Sequence, residues 1–239
     1  MYRLPAALLF ALTASPALAD VTALRNDAAF PEGPAVIDGT LYYAEYGTNV
    51  VSSYDGAASA VLATIDGCGP SAVIPLEGDM VVTCYDSNQI ARITMAGETA
   101  GLIDADADDN PFAGPNDFAE DGKGGIYMAA SGPWESAPIV GKVYHIDAGG
   151  AVWMVADDLH YANGLAMSAD RSRLYVAESE AGRVISSPLA PTGRFPTAAY
   201  SFGSRKWTKG PALAPTPTAS SSDWTATSMS GSSRAAGSQ

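Results

Sequence analysis

Four stretches of this chain repeat one pattern, and that repeat constrains the fold more than any single motif. Gly33-Pro34-Ala35-Val36-Ile37 passes through Asp38-Gly39 into Leu41-Tyr42-Tyr43-Ala44-Glu45. Gly69-Pro70-Ser71-Ala72-Val73-Ile74 passes through Glu77-Gly78 into Met80-Val81-Val82-Thr83-Cys84. Pro115-Asn116-Asp117-Phe118-Ala119 passes through Asp121-Gly122 into Ile126-Tyr127-Met128-Ala129-Ala130, and Asn163-Gly164-Leu165-Ala166-Met167 passes through Ser168 and Asp170 into Leu174-Tyr175-Val176-Ala177-Glu178. Aligning Tyr42, Val81, Tyr127 and Tyr175 gives spacings of 39, 46 and 48 residues. β-branched and aromatic runs punctuated by Asp-Gly or its equivalent predict strand, tight turn, strand. A third strand is expected at 50–54, 90–94, 143–146 and 184–187, and a fourth at 60–65, 100–103 and 152–155. Four short strands per unit of this length predict an all-β chain with β-propeller blades. No helical periodicity competes with them outside the N-terminus.

In a propeller, the innermost strand of each blade runs beside the central channel. Glu32, Asn116 and Asn163 stand at the starts of three such strands, and Gly69 begins the fourth. Oxygen-bearing side chains in register on separate blades suit a shared axial site for a hard divalent cation, with calcium the leading choice. The plainer reading of each alone is a turn residue beside Gly or Pro.

The two ends read differently from the middle. Residues 1–19 carry Arg3, an apolar stretch from Ala6 to Ala14, and Ala17-Leu18-Ala19, the pattern of a signal peptide. The apolar stretch is shorter than the ~20 residues that a membrane span needs. Export to the periplasm or outside the cell is therefore expected. Export permits a disulfide between Cys68 and Cys84, with two buried free thiols as the alternative. Residues 1–190 hold 8 basic and 25 acidic side chains, whereas residues 191–239 hold 5 basic and 1 acidic, Asp223. The overall charge of −13 argues against a nucleic-acid partner. Residues 191–239 are rich in Ala, Ser, Thr and Pro, and are expected to be disordered. An out-of-frame translation and a natural low-complexity tail both account for that composition. The expected organisation is a signal peptide over 1–19, a partial propeller over 20–190 and a tail over 191–239.

Other features carry less. The acidic run from Asp104 to Asn110 lacks the Gly and Glu that an EF-hand requires at its sixth and twelfth places, and reads as a solvated loop. His145 falls in a strand and reads as packed or surface. His160 lies just before Asn163, where an imidazole could line the mouth, contact substrate and shuttle protons. No nucleophile elbow, phosphate loop or dinucleotide fingerprint is present in the sequence.

Phe30-Pro31-Glu32-Gly33-Pro34, Gly114-Pro115-Asn116-Asp117 and the run from Ala162 to Asp170 resemble three motifs of the gluconolactonase family, which includes senescence marker protein and luciferin-regenerating enzyme. The resemblance covers roughly residues 28–190. It implies a six-bladed propeller with one axial divalent cation, and hydrolysis of small-molecule lactones or related esters. Glu32 and Asn163 would be metal ligands, and Asn116 a ligand or a substrate contact. Some sugar-lactonase members carry Arg two residues before the Asn116 position to help hold substrate, but here that place is Gly114. No match to the family's later catalytic Asp follows Asn163. The expectation is thus a secreted metal-dependent hydrolase whose propeller stops after about four blades, impaired by the missing Asp. The competing class is a non-enzymatic propeller that binds a small ligand or protein at its mouth.

Overall fold

The computed structural model describes residues 21–134 and 139–189; the signal-peptide and tail readings lie outside the described residues. Four antiparallel sheets follow one another along the chain. Blade 1 comprises β1 (Pro31–Ile37), β2 (Thr40–Glu45), β3 (Val50–Tyr54) and β4 (Ser59–Thr64). Blade 2 comprises β5 (Pro70–Leu76), β6 (Asp79–Cys84), β7 (Gln89–Ile93) and β8 (Thr99–Ile103). Blade 3 comprises β9 (Pro115–Glu120), β10 (Ile126–Ala130), β11 (Gly141–Ile146) and β12 (Val152–Leu159). Blade 4 comprises β13 (Ala162–Met167), β14 (Arg173–Glu178) and β15 (Arg183–Pro188). Each sheet keeps its strands in chain order, so this is the up-and-down topology expected of propeller blades. Val21–Leu24 is irregular and pairs with no strand among the described residues.

The period of two along each strand sends alternate side chains to opposite neighbours. In β5 and β6, Val73, Met80 and Val82 turn to blade 1, where they meet Val51 and Ala63. Ile74 and Val81 turn the other way and pack with Phe112, Phe118, Met128 and Tyr144 of blade 3. Tyr127, Ala129 and Val143 then meet Leu174, Val176 and Ile185 of blade 4. Apolar layers between successive blades hold the arc together. At about 25 cal/mol per Å² of apolar surface removed from water, such layers supply most of its favourable energy. The innermost strands touch in succession, β1 with β5, β5 with β9, and β9 with β13.

His145 is buried between the rings of Tyr127 and Trp153, with its Nε2 2.9 Å from Asp121 Oδ2. In the acidic loop, Asp106 Oδ1 accepts the Asp108 and Asn110 backbone N–H groups and the Asn110 side-chain amide. Asp106 thereby folds that loop on itself. Cys68 and Cys84 are joined by a disulfide.

Candidate functional site at the channel mouth

Pairing registers fix which residues are equivalent. The last residue of the second strand in each blade faces Pro31, Pro70, Pro115 or Ala162. The next residue is therefore Glu32, Ser71, Asn116 or Asn163. Ser71, not Gly69, is the fourth member of the set. Gly69 precedes β5, and its pairing with Gly33 in the sequence alignment was out of register. Each innermost strand also breaks register within its first few residues, at Gly33-Pro34, Ser71, Asn116 and Asn163-Gly164. A bulge re-aims side chains and ends regular pairing. Four bulges thus lie at the same end of four neighbouring strands.

The four residues then differ. Ser71 is buried, with its hydroxyl 2.9 Å from Thr83 Oγ1 and 3.2 Å from the Pro115 carbonyl oxygen. Its bonding capacity is used within the protein. No hydrogen bond joins the Glu32, Asn116 or Asn163 side chain to another described residue. Burial of its carboxyl, reinforced by the negative charge of Asp117, pushes Glu32 above its ordinary value near 4.5. Burial also raises Asp117, against the opposing pull of the Leu165 and Phe118 amides. The Asp117 carboxylate accepts the Leu165 N–H at 2.7 Å, which ties blade 3 to blade 4 beside Asn163. Asp117 was missed as a site residue. The available signal was an acidic residue inside a strand, where Asp is disfavoured.

Two carboxyls lie near two amides, and no Lys, Arg or His forms an ion pair with either carboxyl among the described residues. This donor set fits a hard cation, which would relieve the mutual repulsion of Glu32 and Asp117. No group of three or more His, Cys, Asp or Glu residues stands close enough to bind a metal among the described residues, so neutral amide oxygens would have to complete the site.

Two glycines set the close approach of blades here. Gly33 has φ +40°, and a Cβ there would lie 2.3 Å from Ala72 Cα. Gly114 has φ +59°, and a Cβ there would lie 2.5 Å from the Gly132 carbonyl oxygen and 2.8 Å from Tyr85 Cε2. No side chain fits at Gly114 without movement. A cavity of about 380 Å³ is lined by the apolar side chains of Pro34, Val36, Ile74, Phe118 and Leu165 together with the carboxyls of Asp117 and Glu120.

A further set of equivalent positions holds the mouth loops. Glu45, Cys84, Ala130 and Glu178 end the second strands. Glu45 accepts the Ala29 N–H at 2.9 Å, and Glu178 accepts the His160 N–H at 2.8 Å. Arg25 pairs with the first carboxylate and Arg183 with the second. Ala29, Cys68 and His160 each lie two residues before an innermost strand. Blade 2 therefore closes with a disulfide the loop that blades 1 and 4 close with a buried carboxylate. His160 is held by its backbone N–H and is half-buried.

Four antiparallel, chain-ordered sheets with bulged innermost strands define the blades of a propeller. The chain belongs to the SMP-30/gluconolactonase/LRE-like family, which matches it over residues 30–209. No curated protein matches it at the level of sequence. Among solved structures it is similar to a gluconolactonase from Xanthomonas campestris, with a TM-score of 0.61, 21% identity, and coverage of 70% of this chain and 61% of that one. A luciferin-regenerating enzyme gives a TM-score of 0.56 and 23% identity, covering 70% of this chain and 58% of that one. A regucalcin from Agrobacterium tumefaciens, described as a calcium-binding protein, gives 0.59 and 18%, covering 72% and 58%. At these identities the likeness concerns the fold. The chain spans about 61% or less of the length of these three structures.

Proposed function

We propose that this protein is a metal-dependent hydrolase of small-molecule lactones or related esters. The observation that carries the reading is the set of bulges placing Glu32, Asn116 and Asn163 in equivalent positions at one mouth, with side chains that bond to no other described residue. Family membership supports the reaction class. Glu32, Asn116 and Asn163 would hold a divalent cation, of which calcium suits the oxygen donors best. When bound, such a cation polarises an ester carbonyl and lowers the pKa of bound water. Asp117 fixes the Leu165 amide and with it the strand that bears Asn163. Its charge adds to that of Glu32 on the cation side of the mouth. His160 stands where its imidazole could contact substrate or pass a proton. A positioned proton acceptor beside the bound water would supply about 10²–10⁴ in rate. The N-terminal pattern and the Cys68–Cys84 bond support a periplasmic or secreted protein.

The test is calorimetric titration with calcium alongside a lactone panel. Calcium binding that Glu32→Gln abolishes, with turnover that requires calcium, supports the proposal. Absence of both in the folded full chain overturns it. Tight ligand binding without calcium or turnover would favour a non-enzymatic binding propeller.

A further inference from the structure

Asn116 and Asn163 hold equivalent places in neighbouring blades but differ in the residue that follows. Asn116 precedes Asp117, whereas Asn163 precedes Gly164, and no other Asn in the sequence is followed by Gly. A backbone nitrogen can attack the side-chain amide carbon of an Asn just before it. Glycine does so most readily, because no Cβ hinders the approach. The fold leaves this reaction open at Asn163. Asn163 and Gly164 together oppose Ala177 alone, in the bulge between the Ala162–Glu178 and Leu165–Val176 pairs. A bulge interrupts the regular ladder, whose extended backbone resists ring closure. The Asn163 side chain is half-buried, and no hydrogen bond joins it to another described residue. By contrast, Asn49 and Asn88 accept the Gly69 and Gly114 backbone N–H groups, and Asn110 donates to Asp106.

Packing does not require glycine at 164. Unlike Gly33 and Gly114, it lies outside the left-handed region. A Cβ there would stand 3.7 Å from Ala177 Cβ and 3.8 Å from Asp117 Oδ2, which are ordinary contact distances. Alanine therefore fits, and a substitution can remove the chemistry while sparing the fold.

We propose that Asn163-Gly164 is a spontaneous deamidation site, and that a cation held at the mouth suppresses the reaction. The Gly164 nitrogen bonds to Asn163 Cγ and loses its proton to solvent. The Asn163 amide nitrogen takes up a proton and leaves as ammonia, and a succinimide remains. Water then opens the ring at either carbonyl, giving aspartate or isoaspartate. Aspartate places a further carboxylate at the mouth. Isoaspartate reroutes the main chain through the side chain and lengthens the strand by one atom. A cation bound to the Asn163 side-chain oxygen would hold that amide away from its own backbone and block closure. The suppression rests on the reading of Asn163 as a ligand; the cyclisation does not.

The folded full chain is incubated at mildly alkaline pH with EDTA or with calcium, and deamidation is followed by peptide mapping and mass spectrometry. Asn163 should react at least about tenfold faster than Asn116, which shares its position but not its glycine. Gly164→Ala should bring Asn163 down to the rate of Asn116. With calcium at about ten times its Kd, only about a tenth of the sites are free, so the reaction at Asn163 should slow about tenfold. A rate at Asn163 no faster than at Asn116 overturns the proposal, as does an unchanged rate in Gly164→Ala. The first comparison is made within one wild-type chain, so it decides the matter even if the variant does not fold. Fast deamidation unaffected by calcium that calorimetry shows to be bound overturns the suppression and the ligand role of Asn163. If Asn163 reacts fast and no calcium binds, the metal-dependent hydrolase reading falls and the modification site stands.

Discussion

Glu178→Ala should weaken calcium binding, although Glu178 is not among the proposed ligands. Its carboxylate is 1% exposed and accepts the His160 N–H at 2.8 Å. Deleting it leaves that amide without its acceptor, at a cost of about 1–3 kcal/mol. The ion pair with Arg183 adds less than about 1 kcal/mol, because Arg183 is half exposed. A total near 2–3 kcal/mol follows, read as a lower urea midpoint at unchanged m-value. The freed loop leads to Asn163, so calcium affinity should fall by about tenfold, as it does when groups that position ligands are lost. Glu178→Gln retains an acceptor and should lose less of both. The control is in blade 2, where the disulfide occupies the equivalent place. Replacing Cys68 and Cys84 together by Ser should cost a comparable ~3 kcal/mol for a cross-link spanning 16 residues. The residue it steadies is Ser71, whose hydroxyl is engaged within the protein, so calcium affinity should stay within about twofold. If both variants weaken calcium equally, affinity follows general stability and the positional argument is wrong.

Three other outcomes follow from the geometry. Gly114→Ala should destabilise by about 2 kcal/mol, because its Cβ would meet the Gly132 carbonyl oxygen and its φ is +59°; a Tm drop under ~3 °C would contradict this. Calcium at about 100 times its Kd should stabilise the chain by ~2.7 kcal/mol, and Glu32→Gln should remove that shift in a thermal melt. Burial acts to raise Asp121, but hydrogen bonds from His145 and from the Lys123 and Gly125 amides prevail and hold it below its ordinary value near 3.8. Its contribution is therefore full above that value and is lost as pH falls through the lower folded value, so wild-type stability should decline below about pH 4. Asp121→Asn should be less stable at neutral pH and show a shallower acid decline; parallel pH curves would refute the assignment.

The blades were legible because their turns are chemically marked. Asp38-Gly39 and Glu77-Gly78 take the positive φ that tight hairpins need, and the runs between them alternate faces. The predicted third strand at 50–54 coincides with β3. The site was legible only in part. Glu32, Asn116 and Asn163 were found from their common position, but the bulge that slips each register by one residue is built from different residues in each blade, and Pro70 pairs where Pro31 does. Gly69-Pro70 therefore imitates Gly33-Pro34 while occupying another place. Asp117 and Glu178 went unread because their partners, Leu165 and His160, are backbone groups, and a backbone acceptor or donor leaves no trace in residue identity.

The ties between blades have a direction. Thr83 of blade 2 donates to the Asn116 carbonyl oxygen of blade 3, and Ser131, just after β10, donates to the Ala162 carbonyl oxygen of blade 4. Asp117 reaches forward in the same way to Leu165. Each amide-bearing strand is thus aligned by side chains from the unit before it as well as by its own sheet. Damage should propagate downstream: a lesion in blade 3 misplaces Asn163, whereas one in blade 4 leaves Asn116 where it is. Blades of this chain are consequently poor candidates for exchange one at a time, since a transplanted blade arrives without the neighbour that aims it.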